Sequence, residues 1–357
     1  MDYRKSRTMI WLFALFAIVG ALTLIPGAGG AANGEIRLLT IDGVINPLTA
    51  QYLTRELREG AEAQVEIVAV LLNTPGGLES SMREMTEAML NSPVPVVVFV
   101  APPGARAASA GMFVTIASHV AAMAPGTNIG AAHPAGLGGQ TDPVMSEKLV
   151  NDAAAQARAI AAVRGRNAAW AEQAVRESVS ITAEEALDQG VIDLIASDLD
   201  DLLRKIDGRR LLTAEGEVTL HTAEARVLER PMNLVERILH AITDPNVAYI
   251  LFTLGVIGII AELYNPGTLF PGITGAISLI LAFVAFGSLP INWAGILLLL
   301  LAVGLFMAEL YTEGIGILAA GGLIAFILGS LMLYTPLTPT SPAMPEVQVS
   351  LWVTAIM

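Results

Sequence analysis

The sequence predicts an α/β layered domain followed by an all-α bundle of transmembrane helices. Three observations carry that expectation. From Ile36 to about Arg230, short β-branched runs alternate with helix-length segments, the pattern of strands and helices packed in layers. All 20 Lys and Arg residues lie at or before Arg237. Beyond it come long apolar runs carrying only five acids: Asp244, Glu262, Glu309, Glu313 and Glu346. Only 15% of the 357 residues are charged and 54% are hydrophobic, against roughly 25% charged in an average soluble domain. Part of the chain therefore belongs in lipid.

Taken in order, the elements begin with an export segment. Arg4, Lys5 and Arg7 precede an apolar run over 9–25 and a small-residue stretch. Residues 1–32 thus read as a signal peptide, cleaved near Ala31 or Ala32, or as an N-terminal anchor. Strands are expected at 36–45, 65–74, 94–101, 119–124 and 191–196, where β-branched residues cluster. Helical patterns fill 48–63, 78–91, 107–118, 143–164 and 168–177. A further helix starts at Thr182, which forms a capping box with Glu185, and stops at Gly190. Residues 209–222 read as a hairpin turning at Glu215 and Gly216, closing a layered domain over 33–230.

Residues 231–246 contain an amphipathic juxtamembrane helix, and a four-helix transmembrane region follows over 247–334. The spans, near 247–264, 273–289, 294–311 and 315–334, each have about the length that crosses a hydrocarbon core. AELY recurs at Ala261 and Ala308 with similar residues after it, so the region is a duplicated helical hairpin. Glu262 and Glu309 occupy matching places before each turn, where a hydrogen-bonded structural contact is the expected role. The proline-bearing stretch from Thr335 and the apolar run from Ser350 read as a loop and the start of a truncated fifth segment, 335–357. An exported layered domain puts the first span's start, and this loop, on the outer side of the membrane.

Two motifs carry chemistry. Asn73-Thr74-Pro75-Gly76-Gly77 ends a strong buried strand and opens a helix. Paired glycines there let backbone N–H groups point into a cleft beside a helix N-terminus, making an oxyanion hole or anion site. Ala107-Ala108-Ser109-Ala110-Gly111 follows the next strand. Its small residues leave the Ser109 hydroxyl unobstructed and offer the Ala110 amide as a second donor.

Together NTPGG, GARAASAGMF, MAPGTNIGAAHP, RGRN and TAEEALDQGVID resemble the NfeD-type membrane serine proteases. Those belong to the clan of Clp protease and signal peptide peptidase A, and the likeness is strong over residues 35–210. It implies a Clp/crotonase-like fold of repeated β-β-α units. It also implies Ser109 as nucleophile, with Gly76, Gly77 and Ala110 forming the oxyanion hole. The family's general base is a lysine some forty residues beyond the serine, near a helix start, and Lys148 fits that position. Burial in an apolar cleft penalises an ammonium and lowers its pKa, which a lysine base requires. His133 is the competing base, lying where a Clp protease keeps its triad histidine. A triad also needs an acid, and the corresponding position is Ser178, with Glu177 beside it. The expected pair is therefore Ser109 and Lys148, with His133 shaping the cleft.

The resemblance further implies an ATP-independent endopeptidase acting on hydrophobic segments, with stomatin-like (SPFH) membrane proteins as partners or substrates. A homo-oligomer at the cell membrane, its protease domain on the extracytoplasmic side, is the expected assembly. The net charge of −13 argues against a nucleic-acid partner. No cysteine is present and His119, His133, His221 and His240 lack ligand spacing, so neither metal nor cofactor is expected. Two alternatives share these features. A crotonase-type acyl-CoA enzyme would bind coenzyme A, and a vestigial membrane scaffold would leave Ser109 unreactive.

Overall fold

The near-continuous apolar runs of the strand segments demand burial on both faces, which a parallel sheet covered on each side provides. The computed structural model describes residues 34–134, 143–242, 245–264, 267, 269–287, 292–310, 312 and 316–333. The export segment and the stretch 335–357 lie outside the described residues. Six strands form the main sheet: β1 (Glu35–Asp42), β2 (Ile67–Asn73), β3 (Val96–Val100), β5 (Val120–Met123), β8 (Leu194–Ile195) and β11 (Arg226–Glu229). Their order is β11-β1-β2-β3-β5-β8, and every pairing is parallel. Alternate residues of β2 feed different cores. Val68, Val70 and Leu72 join one cluster, while Ile67 and Ala69 join the other.

Helices α1 (Pro47–Glu62), α2 (Glu79–Leu90), α3 (Ala110–Ala117), α4 (Pro143–Val163), α5 (Ala168–Arg176) and α6 (Ala183–Asp188) follow their strands. α7 (Leu199–Ile206) covers the opposite face of the sheet through Leu202, Leu203 and Ile206. Local chemistry starts several of these helices. Asn46 and Thr49 form a capping box around Pro47 at the head of α1, and Thr182 and Glu185 repeat the device for α6.

A second, smaller layer stands beyond the strand ends. β4 (Arg106–Ala108), β6 (Asn128–Gly130) and β7 (Ser180–Thr182) form a mixed sheet. Single bridges from Thr74 to Ala107 and from Ile45 to Gly77 extend it. Each unit thus sends its chain through the main sheet, across the small layer and into a helix. This is the Clp-like β-β-α repeat, an α/β domain ahead of an all-α bundle. The segment expected as helix over 107–118 divides at Ser109, its first residues forming β4. The expected hairpin is β9 (Arg210–Thr213) with β10 (Gly216–Thr219).

α8 (Leu234–Ile242) leads to α9 (Pro245–Tyr264), α10 (Phe270–Gly287), α11 (Trp293–Leu310) and α12 (Ile317–Met332). Among the described residues, one helix, Asn246–Tyr264, is long and apolar enough to cross a membrane, and the three that follow are shorter apolar helices. They pair as two hairpins. A Cβ on Gly275 would lie 2.8 Å from the Gly255 carbonyl oxygen, and one on Gly329 would lie 3.0 Å from that of Gly295. Only glycine permits so close a backbone approach between apolar helices. The two repeated glutamates close the turn of each hairpin. Glu262 accepts from the Gly267 and Leu269 amides, and Glu309 from those of Gly316 and Ala319.

Candidate active site

β4 ends at Ala108 and α3 begins at Ala110, leaving Ser109 alone in the elbow between them. Its φ of 53° and ψ of −116° fall where a residue with a Cβ rarely sits. The surrounding hydrogen bonds hold it there. The Ser109 amide donates to the Gly130 carbonyl at 2.9 Å, and Met112 donates to the Ser109 carbonyl at 3.0 Å. The Thr74 amide donates to the Arg106 carbonyl at 2.8 Å, and the Ala108 amide donates to the Thr74 carbonyl at 3.1 Å. The result is a half-buried hydroxyl at the head of a fully buried helix, a strained strand–turn–helix of the kind that presents nucleophiles.

The neighbours must be small. A Cβ on Gly111 would meet the Thr74 methyl at 2.4 Å. One on Gly76, whose φ is 123°, would lie 2.7 Å from the Ser109 Cβ and 3.2 Å from its Oγ. The NTPGG strap therefore lies directly against the serine. Its two glycines have different hydrogen bonds. The Gly76 amide donates to Thr74 Oγ1 at 3.0 Å, and Thr74 Oγ1 donates back to the Gly76 carbonyl. The Gly77 and Ala110 amides, by contrast, donate to no described residue. These two N–H groups belong to the residues next along the chain from the Gly76–Ser109 contact, one in the strap and one in the first turn of α3.

The structure gathers Ser109, Gly76, Gly77 and Ala110, and leaves both candidate bases apart from the hydroxyl. Lys148 is on the second turn of α4 with its side chain exposed. It makes no ion pair or hydrogen bond with a described residue. Val144, Met145 and Leu149, close to it along the same helix, are 57%, 50% and 36% exposed. His133 is exposed as well, and its Nδ1 lies 2.9 Å from the Val175 carbonyl. A carbonyl only accepts, so Nδ1 carries a proton there. Ser109 Oγ itself hydrogen-bonds to no described residue.

Residues that the sequence left as mere motif hold the far end of α3. Arg164 donates to the Ala117 carbonyl at 2.7 Å and to that of Met89 at 2.9 Å. Arg166 donates to the Ile116 and Ser118 carbonyls, both at 2.8 Å, and to Asp193 at 2.6 Å. Two guanidinium groups thus cap the C-terminus of the helix that carries Ser109 at its N-terminus, which matches its dipole. Burial, then Arg166, lowers the Arg164 pKa to about 10.

His119, which follows Ser118, is buried and accepts from the Val96 amide at 3.0 Å. Burial first, then Arg164 and Arg166, lowers its pKa to about 3. A depressed histidine keeps the folded state neutral while the unfolded chain binds a proton below about pH 6.5. Stability is then lost as pH falls below that value, by about 2 kcal/mol between pH 7.5 and 5. His119→Gln, which keeps an acceptor for Val96, should flatten this slope in thermal unfolding across that range. An unchanged slope would place the acid sensitivity elsewhere.

A Clp-like α/β domain with a serine at a strand–helix elbow, followed by a bundle of apolar helices, is the architecture of the class of membrane-bound Clp-like proteins. Comparison with known proteins narrows the class. The N-terminal domain of NfeD1b matches residues 35–208 and the NfeD integral membrane domain matches residues 246–357. The membrane-bound protease PH1510 of Pyrococcus horikoshii is 36% identical over 307 residues, covering 85% of this chain and 70% of that protein. Two solved structures of the 1510-N membrane-bound stomatin-specific protease align over their whole length. One, with a lysine replaced by alanine and a substrate peptide bound, is 33% identical with a TM-score of 0.56 and covers 60% of this chain. The other, with a serine replaced by alanine, is 33% identical with a TM-score of 0.53 and covers 57%. The chain belongs to the NfeD family and is a membrane protein.

Proposed function

We propose that this chain is an ATP-independent serine endopeptidase whose catalytic dyad is Ser109 and Lys148. The observation that carries the reading is the elbow serine pressed against Gly76, with the Gly77 and Ala110 amides uncommitted next along the chain. In the reaction, Ser109 Oγ attacks the scissile carbonyl while the neutral amine of Lys148 takes the hydroxyl proton. The carbonyl oxygen gains charge and receives the Gly77 and Ala110 N–H groups. Gly76, its amide already held by Thr74, supplies the close approach instead of a donor. The peptide C–N bond then breaks, Lys148 returns the proton to the departing amine, and water hydrolyses the acyl-enzyme by the same route reversed.

Lys148 must approach the serine and lose water before it can serve. An extended apolar segment laid over Val144, Met145 and Leu149 does both, which favours hydrophobic substrate sequences. The serine and lysine replaced in the solved relatives lie at nearly the same separation along the chain, and one of those relatives holds a substrate peptide. Stomatin-like membrane proteins are accordingly the proposed substrate class. The extracytoplasmic face is the proposed location, with four membrane crossings after α8.

A single labelling experiment tests activity and orientation together. A membrane-impermeant fluorophosphonate added to intact spheroplasts should modify Ser109, and the Ser109→Ala chain should stay unlabelled. Labelling only after permeabilisation would reverse the orientation. No labelling in either state would favour the vestigial scaffold.

A further inference from the structure

Among the described residues, a heavily charged buried cluster lies where the layered domain meets the juxtamembrane helix. Glu56 on α1 is 1% exposed and is surrounded by Arg37 from β1 at 3.1 Å, Arg55 at 2.7 Å and Arg230 at 3.2 Å. Arg230 also reaches Glu59 at 3.0 Å. Arg55 extends beyond this cluster to Glu236 on α8, meeting both carboxylate oxygens at 3.0 and 2.9 Å. Such a two-bond fork fixes orientation as well as distance. Glu236 is itself pinned, since it exchanges hydrogen bonds with Asn233 as the capping box of α8. The Tyr52 hydroxyl, on the same helix as Arg55, bonds to the Arg230 carbonyl.

Both ends of this arrangement connect to something that matters. Ile242, the last residue of α8, packs in the core of the membrane helices with Tyr249, Phe252 and Phe286. At the other end, α1 begins at Pro47, one N-cap residue, Asn46, after Ile45. The Ile45 amide donates to the Gly76 carbonyl at 2.8 Å, and its carbonyl accepts from Leu78 at 2.9 Å. Ile45 therefore brackets Gly77 on both sides, and a Cβ on Gly77 would fall 2.0 Å from the Ile45 oxygen. α1 is a stiff rod between the fork and the strap, with Arg55 about 12 Å along it from its first residue at 1.5 Å per residue.

We propose that Arg55 and Glu236 are positioning residues: through α1 and Ile45 they couple the membrane helices to the placement of the Gly77 amide. The inference rests on the proteolytic reading of the site only for its consequence in catalysis. A tilt of α8, set by the membrane helices, shifts Arg55 and with it the rod. The strap has no slack, because Ile45 and Gly77 are in backbone contact. Sub-ångström displacement of an oxyanion donor is felt in the rate more than in substrate binding.

The test uses the full chain in lipid nanodiscs, with Arg55→Lys, Arg55→Ala and Glu236→Gln. Peptide cleavage is measured as kcat and KM, and hydrogen exchange is followed in the segment 76–78. Arg55→Ala and Glu236→Gln should each lower kcat about tenfold with KM little changed, and should speed exchange at the Leu78 amide. Arg55→Lys, which keeps the charge without the fork, should fall between. Wild-type kcat and wild-type exchange in a folded Arg55→Ala chain would overturn the coupling, and Glu236→Gln decides by the same readings if Arg55→Ala does not fold. If the unaltered chain does not cleave peptide, the proteolytic reading fails, while the exchange measurement still judges the coupling alone.

Discussion

Ser109→Ala should reduce peptide cleavage to background, a loss of about a millionfold in kcat, with the fold intact. Removal of one methyl-sized oxygen from a half-buried site leaves no buried partner unsatisfied, because the hydroxyl hydrogen-bonds to no described residue. Lys148→Ala should lose activity to the same order, since nucleophile and base act as one unit and neither accelerates the reaction without the other. That exposed side chain makes no ion pair or hydrogen bond with a described residue, so its loss should not lower the melting temperature. His133→Ala should retain most of the activity. The decisive outcome is the order of the last two. An active Lys148→Ala chain beside a dead His133→Ala chain would assign the proton to Nε2 of His133. The Val175 carbonyl, accepting from the His133 Nδ1–H, would then stand in for the carboxylate of a triad.

Gly77→Ala should have the next largest effect, and through a different cause. The added methyl would lie 2.0 Å from the Ile45 carbonyl oxygen and 2.6 Å from the Ile45 carbonyl carbon and amide nitrogen. All three are backbone atoms that cannot rotate away, so the strap itself must move and take the Gly77 amide with it. Loss of one oxyanion donor costs about 10²–10³ in kcat, and overpacking adds a destabilisation of about 1–3 kcal/mol. Gly126→Ala is the control. It too has a positive φ, of 76°, but nothing lies within 4 Å of its added Cβ, so it carries backbone strain without displacing the strap. Equal kcat in the two variants, measured below both melting temperatures, would remove the Gly77 amide from the oxyanion site.

The legible part of the fold was whatever repeats along the chain. β2 and β3 are apolar runs rich in β-branched residues, and α6 announces itself with a capping box. The apolar helices stand out by composition, and their duplicated AELY marks the two hairpins. Less legible was the small layer. β4, β6 and β7 have three residues each, too few to show a period, and they pair across tens of residues. The edge strand β11 was hidden for a similar reason, since Arg226 and Glu229 make it read as a surface segment. Its place beside β1 comes from pairing with Glu35 to Leu38.

For the site, the sequence by itself determined the chemical groups: an unobstructed serine, paired glycines at a strand end, a lone lysine on a following helix, and apolar helices beyond. Each is a property of a short stretch of chain, where small residues or periodic ones carry their meaning locally. Only the tertiary structure decided which groups act on one another. It set the backbone of Ser109 at φ 53°, gave the Gly76 amide to Thr74 while leaving Gly77 and Ala110 free, and put Lys148 on an exposed face. It also turned RGRN from a motif into the two arginines that cap α3, the helix that follows Ser109, and bound Glu236 to Arg55 across 181 residues of chain. The reason is physical. Hydrogen bonds and ion pairs depend on distances of about 3 Å and on direction, and those are set by how the layers pack, which no local pattern records.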